Sequence, residues 1–91
     1  MTKIDDLSAL LGRAIEKART NKGISRYMLA KRLSIQQHRV TRIENGVSDM
    51  RLSSVMDIID ALDITPGELL DPVAERLREE FFQSAVMKDE R

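Results

Sequence analysis

Apolar residues recur every three to four positions along almost the whole chain, and nowhere do they alternate as a half-buried strand would. Ile4, Leu7, Leu11, Ala14, Ile15 and Ala18 share one face of a first helix. Thr2 with Asp5 three residues on caps its start, and Gly23 ends it after Asn21-Lys22. Ser25 reads as the N-cap of a short second helix that turns Leu29, Ala30 and Leu33 inward. After Ser34-Ile35 a third helix runs from about Gln36 to Glu44 with Val40 and Ile43 inward, closing at Asn45-Gly46. A loop from Val47 to Arg51 leads to a fourth helix, whose buried stripe is Leu52, Val55, Ile58, Ile59 and Leu62. Thr65-Pro66-Gly67-Glu68 is a capping box with proline at the first helical position, which starts a short fifth helix. Pro72 then opens a final helix, from Val73 to about Met87, before Lys88–Arg91 frays. The pattern predicts an all-α protein: a bundle of five helices over residues 1–71 and an additional C-terminal helix over 72–91.

Composition narrows the chemistry. A chain of 91 residues makes one small domain with a marginal core. It has no cysteine, which removes disulfides and thiolate metal sites, and one histidine, His38. A lone histidine leaves a metal site short of ligands and a nucleophile without a recognisable triad, so no metal, cofactor or catalysis is expected. No ligand-binding domain for a small molecule is evident. No apolar stretch approaches the ~20 residues of a membrane span, and the N-terminus lacks a signal peptide, so the expected compartment is the cytoplasm. With Tyr27, Phe81 and Phe82 as its only aromatics, the chain is poorly equipped to stack single-stranded bases.

Charge adds a sharper feature. Fifteen Lys and Arg balance fifteen Asp and Glu, a net charge of zero that taken alone argues against a nucleic-acid partner. Along the chain the charges separate. Arg13 to Arg51 holds ten basic residues against three acidic ones (Glu16, Glu44, Asp49), a surplus of +7. Leu52 to Arg91 holds four basic against ten acidic, giving −6, and the first twelve residues contribute −1. Two short helices joined by a three- to four-residue turn within this basic segment describe a helix-turn-helix, with Gln36–Glu44 as the helix for the major groove and Ser25–Leu33 bracing it.

From Leu11 to Leu70 the sequence resembles the Cro/CI-like, or XRE, family of phage-repressor helix-turn-helix proteins. The likeness rests on Leu11-Gly12, Ile15, Arg19, Gly23-Ile24-Ser25, Leu29-Ala30, Leu33, Ile35, Val40 and Arg42-Ile43-Glu44-Asn45-Gly46. Leu52, Val55, Ile58, Ala61-Leu62, Ile64 and Glu68-Leu69-Leu70 continue it. The chain departs from the family pattern at Arg26 (usually glutamine), Ser34 (usually glycine), Gln36 (usually a Ser or Thr cap) and Met50-Arg51 (often Pro-Ser). The resemblance implies a phage-repressor-like five-helix bundle that binds duplex DNA, commonly as a dimer.

On that resemblance Gln37 and His38, at the start of the third helix, and Arg42 farther along face base edges. Gln pairs with adenine, and Arg or His donates to guanine. Gln36 either touches a base or serves as a weak cap. Arg39 and Thr41 reach phosphate or nothing; Arg26, Asn45 and Arg51, with Lys22 and Ser48, are assigned to phosphate. Lys17, Lys31 and Arg32 read as plain surface charge. Arg19 and Glu44 are expected to form a partly buried salt bridge between the first helix and the end of the third. On the last helix Val73, Leu77, Phe81 and Ala85 form one apolar stripe and Ala74, Phe82 and Val86 another, together a dimer interface. The expected function is a homodimeric regulator that binds a palindromic double-stranded operator and blocks RNA polymerase or touches it to assist. The alternative is an antitoxin that neutralises a toxin protein and represses its own operon.

Overall fold

The computed structural model describes residues 4–89 of the chain, with side chains over 7–83. Five helices follow in order: α1 Ile4–Asn21, α2 Arg26–Leu33, α3 Gln37–Glu44, α4 Leu52–Leu62 and α5 Pro66–Asp89. The expected cap at Thr2 lies outside the described residues.

Local signals set most of the boundaries. The Ser25 hydroxyl accepts from the Met28 amide at 3.0 Å and so starts α2. Gly23 and Gly46, which follow α1 and α3, take the left-handed backbone at φ 70° and 72°. Ser34 caps the end of α2 in the same region at φ 57°, where a Cβ is crowded and glycine is favoured. The Thr65 hydroxyl accepts from the Glu68 amide at 3.2 Å at the head of α5.

The core lies between α1, α2, the inner face of α3, α4 and the first half of α5. Ile15, Leu29, Val40, Ile58, Leu62 and Leu69 are its most deeply buried side chains. α1 packs on α5 and α3, and α2 on α3 and α4. Gly12 lets α1 approach the end of α3: a Cβ there would stand 2.5 Å from the Ile43 carbonyl oxygen and 2.6 Å from that of Glu44. Gly46 is pressed as closely, since its Cβ would lie 2.6 Å from the Cα of Ala9.

Two expectations are corrected. The short fifth helix and the final helix are one helix of 24 residues, with Pro72 inside it, so the division between residues 71 and 72 falls within an element. Proline lacks the amide that would bond the Glu68 carbonyl, a cost of ~3 kcal/mol in a helix interior. The buried pair Leu69 and Val73, one turn apart, holds both sides of Pro72 on the same face of the bundle. Leu52 is not part of the α4 stripe: it is 72% exposed, in the first turn, and Met56 one turn on is also exposed. Burial on α4 begins at Val55.

Candidate nucleic-acid interface

α3 divides its side chains by the helical period. Val40 and Glu44 are buried and Ile43 is half-buried, while Gln37, His38, Arg39 and Arg42 stand exposed. Gln36, the N-cap residue, makes no side-chain cap bond, so its amide group is free on the same exposed end. His38 and Arg42, four residues apart, lie one above the other on the outer face. Thr41 is half-buried and its hydroxyl lies 3.5 Å from the Gln37 carbonyl, a long contact that turns it toward its own helix.

Beside α3, a cleft of about 340 Å³ opens between this helix, the following loop and the first turn of α4. Arg39, Arg42 and Arg51 ring it, together with Ser48, Asp49 and Ser54. Asp49 turns inward on its own loop, accepting from the Met50 amide at 3.2 Å. Arg51 is the N-cap residue of α4 and makes no side-chain cap bond, so the first-turn amides of that helix have no partner from the cap. Among the described residues, none of Arg39, Arg42 and Arg51 is in an ion pair. Three guanidiniums outside any ion pair thus meet at this edge, with the single carboxylate of Asp49 among them. Asn45 stands exposed as the C-cap of α3. Lys22 is exposed after the last turn of α1 and does not line the cleft.

Behind α3 the charges are consumed internally. Arg19 donates from Nε to Glu44 Oε2 at 2.6 Å and from Nη2 to Oε1 at 3.1 Å, a bidentate pair, while its Nη1 donates to the Ile24 carbonyl at 2.9 Å. The Glu44 side chain is 0% exposed and that of Arg19 is 9%. Arg26, expected at phosphate, is engaged with carboxylates. Its Nε donates to Glu44 Oε1 at 2.9 Å and its Nη2 to Glu16 Oε2 at 3.2 Å, so two of its donor directions already end on carboxylates. The bond to Glu44 and its charge raise the Arg26 pKa above the usual guanidinium range.

Sequence reasoning missed the part played by Glu16, since only the packing of three helices brings it to Arg26. It also missed Arg32, whose Nη1 donates to the Ala61 carbonyl at 2.7 Å and so closes the C-terminal turn of α4. Ser54, at the cleft, carried no signal beyond its place near a helix start.

The expected dimer stripe is split by the fold. Val73 is 7% exposed and faces a cleft shared with Leu10 and Ala14 of α1, so it belongs to the chain's own bundle. Leu77 is half-buried, and Phe81 and Phe82 are 73% and 66% exposed. Ala85 and Val86 lie beyond the described side chains.

Residues 14–75 match the family model of the Cro/C1-type helix-turn-helix DNA-binding domain. Among solved structures the restriction-modification controller protein C.AhdI from Aeromonas hydrophila is 33% identical over 70% of this chain and 96% of its own, with a TM-score of 0.64. The hypothetical transcription factor NHTF from Neisseria is 29% identical over 86% of this chain and 90% of its own, with a TM-score of 0.68. The controller protein C.Esp1396I, solved as a tetramer with its natural 35-base-pair operator, has a TM-score of 0.69 at 19% identity, over 76% of this chain and 91% of its own. No curated protein matches the chain.

Proposed function

The chain belongs to the Cro/C1-type helix-turn-helix DNA-binding family, and from this premise we propose that it is a homodimeric repressor that reads a palindromic operator through α3. The coarser reading, a DNA-binding regulator of transcription, follows from the family itself. One observation carries the finer one: α3 exposes Gln37, His38 and Arg42 next to a cleft ringed by Arg39, Arg42 and Arg51. In this reading Gln37 and Arg42 make bidentate contacts to adenine and guanine, with His38 and Gln36 beside them. Arg39, Arg51, Ser48 and Asn45 grip phosphate and fix the register. Repression is steric, by occupation of a promoter.

The dimer reading is supported by α5. Two neighbouring phenylalanines stay exposed on a helix that has already used Leu69 and Val73 for its own bundle. Exposed aromatic surface of this kind is common at interfaces between chains. A two-fold partner would set two α3 helices one DNA turn apart, ~34 Å.

Selection of bound duplexes from a random pool, at two salt concentrations, tests the function. The expected result is a palindromic consensus with half-sites about 10 base pairs apart. Binding without any consensus, lost steeply as salt rises, would refute sequence-specific regulation. Sedimentation of the wild type and of Phe81→Ser/Phe82→Ser tests the dimer: the wild type should sediment as a dimer and the double variant as a monomer. A monomeric wild type at high micromolar concentration would refute it.

A further inference from the structure

The two helices of the helix-turn-helix are joined covalently at one end only, where the Ser34–Gln36 turn links the C-terminus of α2 to the N-terminus of α3. At the opposite, open end stand Arg26, the first residue of α2, and Glu44, the last residue of α3. Their bond spans 18 residues of sequence and is the one side-chain hydrogen bond between α2 and α3 among the described residues. Arg19 binds the same carboxylate but ties α3 to α1 and to the Ile24 carbonyl before α2, with no side-chain bond to α2 itself. The far side of the Arg26 guanidinium is anchored in turn by Glu16 of α1.

Here we propose, resting on the reading of α3 as the DNA-reading helix, that Arg26 is a positioning residue. By latching the open end of the helix-turn-helix to Glu44 and Glu16 it fixes the angle at which α3 is presented, and it makes no phosphate contact. Side-chain packing between α2 and α3 selects a class of crossing angle but leaves a scatter of roughly 15–20° within it. Charge-assisted bonds from a planar guanidinium are directional and resist rotation within that scatter. The electrostatic balance agrees. Arg19 and Arg26 face Glu44 and Glu16, two cations against two anions, so the cluster has no net charge to offer a phosphate.

This role is distinguishable from a phosphate contact. A phosphate ligand supports binding to every sequence alike, and its loss lowers the salt slope by about 1. A positioning residue affects only the contacts that need an accurate pose. The full chain carrying Arg26→Met should bind its selected duplex about tenfold more weakly relative to a scrambled one, the scale of one misplaced base contact. Its slope of log K against log salt should match the wild type. Arg26→Lys keeps the charge but not the fork, and should recover less than half of the lost discrimination in logarithmic terms. Glu16→Gln, at the exposed outer anchor, should lower discrimination in the same direction and is the variant to use if Arg26→Met does not fold.

A slope reduced by about 1 with discrimination intact would overturn the proposal and return Arg26 to phosphate. A second measurement needs no DNA. Amide hydrogen exchange in the last turn of α3 should quicken about tenfold in Arg26→Met, the scale expected for loss of a coupled ionic contact. Unchanged exchange there would overturn the latch whatever the DNA results. A wild-type chain that selects no consensus would instead overturn the proposed function, with the exchange result still deciding the latch.

Discussion

Replacing Arg19 with alanine removes more than a surface charge. Arg19 is 8% exposed and makes three hydrogen bonds, two to Glu44 and one to the Ile24 carbonyl. After its removal the Glu44 carboxylate, whose side chain is 0% exposed, keeps Arg26 as its single partner, at 2.9 Å. Breaking a buried ion pair by deleting one side typically costs ~3–5 kcal/mol, because the survivor stays desolvated without compensation. The remaining Arg26 contact places Arg19→Ala at the lower end, ~3 kcal/mol. A domain of this size loses about 4–8 °C of melting temperature per kcal/mol, which predicts a fall of roughly 12–24 °C. Thermal melts followed by circular dichroism, at matched protein concentration, measure it directly. Arg19→Met/Glu44→Leu, which removes both charges while keeping apolar volume, should recover most of the loss, since the desolvation cost goes with the pair. A single-variant drop below about 4 °C, the worth of an exposed pair, would refute the buried-pair argument.

Three further outcomes follow from particular contacts. Gly12→Ala forces a Cβ to within 2.5 Å of the Ile43 carbonyl oxygen, a backbone atom that cannot step aside, so α1 and α3 must separate. Denaturant titration should show a loss of about 1–3 kcal/mol or more. Ser34→Gly relieves a left-handed residue at φ 57° and should stabilise by up to about 1 kcal/mol; a destabilised variant would show that the turn is not strained. Arg51→Ala, at the rim of the cleft, should weaken binding to all duplexes alike and lower the salt slope by about 1, whereas Gln37→Ala should cost about 1–3 kcal/mol on the selected sequence alone.

The charge separation along the sequence acquires its physical meaning from these contacts. The basic segment from Arg13 to Arg51 does not act as one patch. Arg19 and Arg26 are neutralised behind α3, and Arg32 closes the end of α4. Of the remaining cations, Arg39, Arg42 and Arg51 meet at the cleft beside α3, while Arg13, Lys17, Lys22 and Lys31 stand exposed elsewhere. Under the proposed function, the three arginines beside α3 would draw a duplex to that edge, and the acidic second half of the chain would limit adhesion over its own surface.

Much of the molecule was written locally. The helices, Ser25 as a cap, Gly23 and Gly46 as stops and the exposed face of α3 could be read from the sequence, because helical period and capping depend on residues three or four apart. The pairing of Arg19 with Glu44 came from resemblance to a family, and the coordinates supply its bidentate geometry. Other features depended on neighbours brought together only by folding. Pro72 is equally compatible with opening a helix or sitting inside one, and the packing of Leu69 and Val73 on a common face decided for the latter. Leu52 fits the period of its stripe but has nothing opposite it. Arg26 has the charge and position of a phosphate ligand, yet two carboxylates from other helices claim it first. Periodicity assigns a residue to a face; whether that face meets core, solvent or an opposite charge is a long-range outcome, and tertiary structure alone decides it.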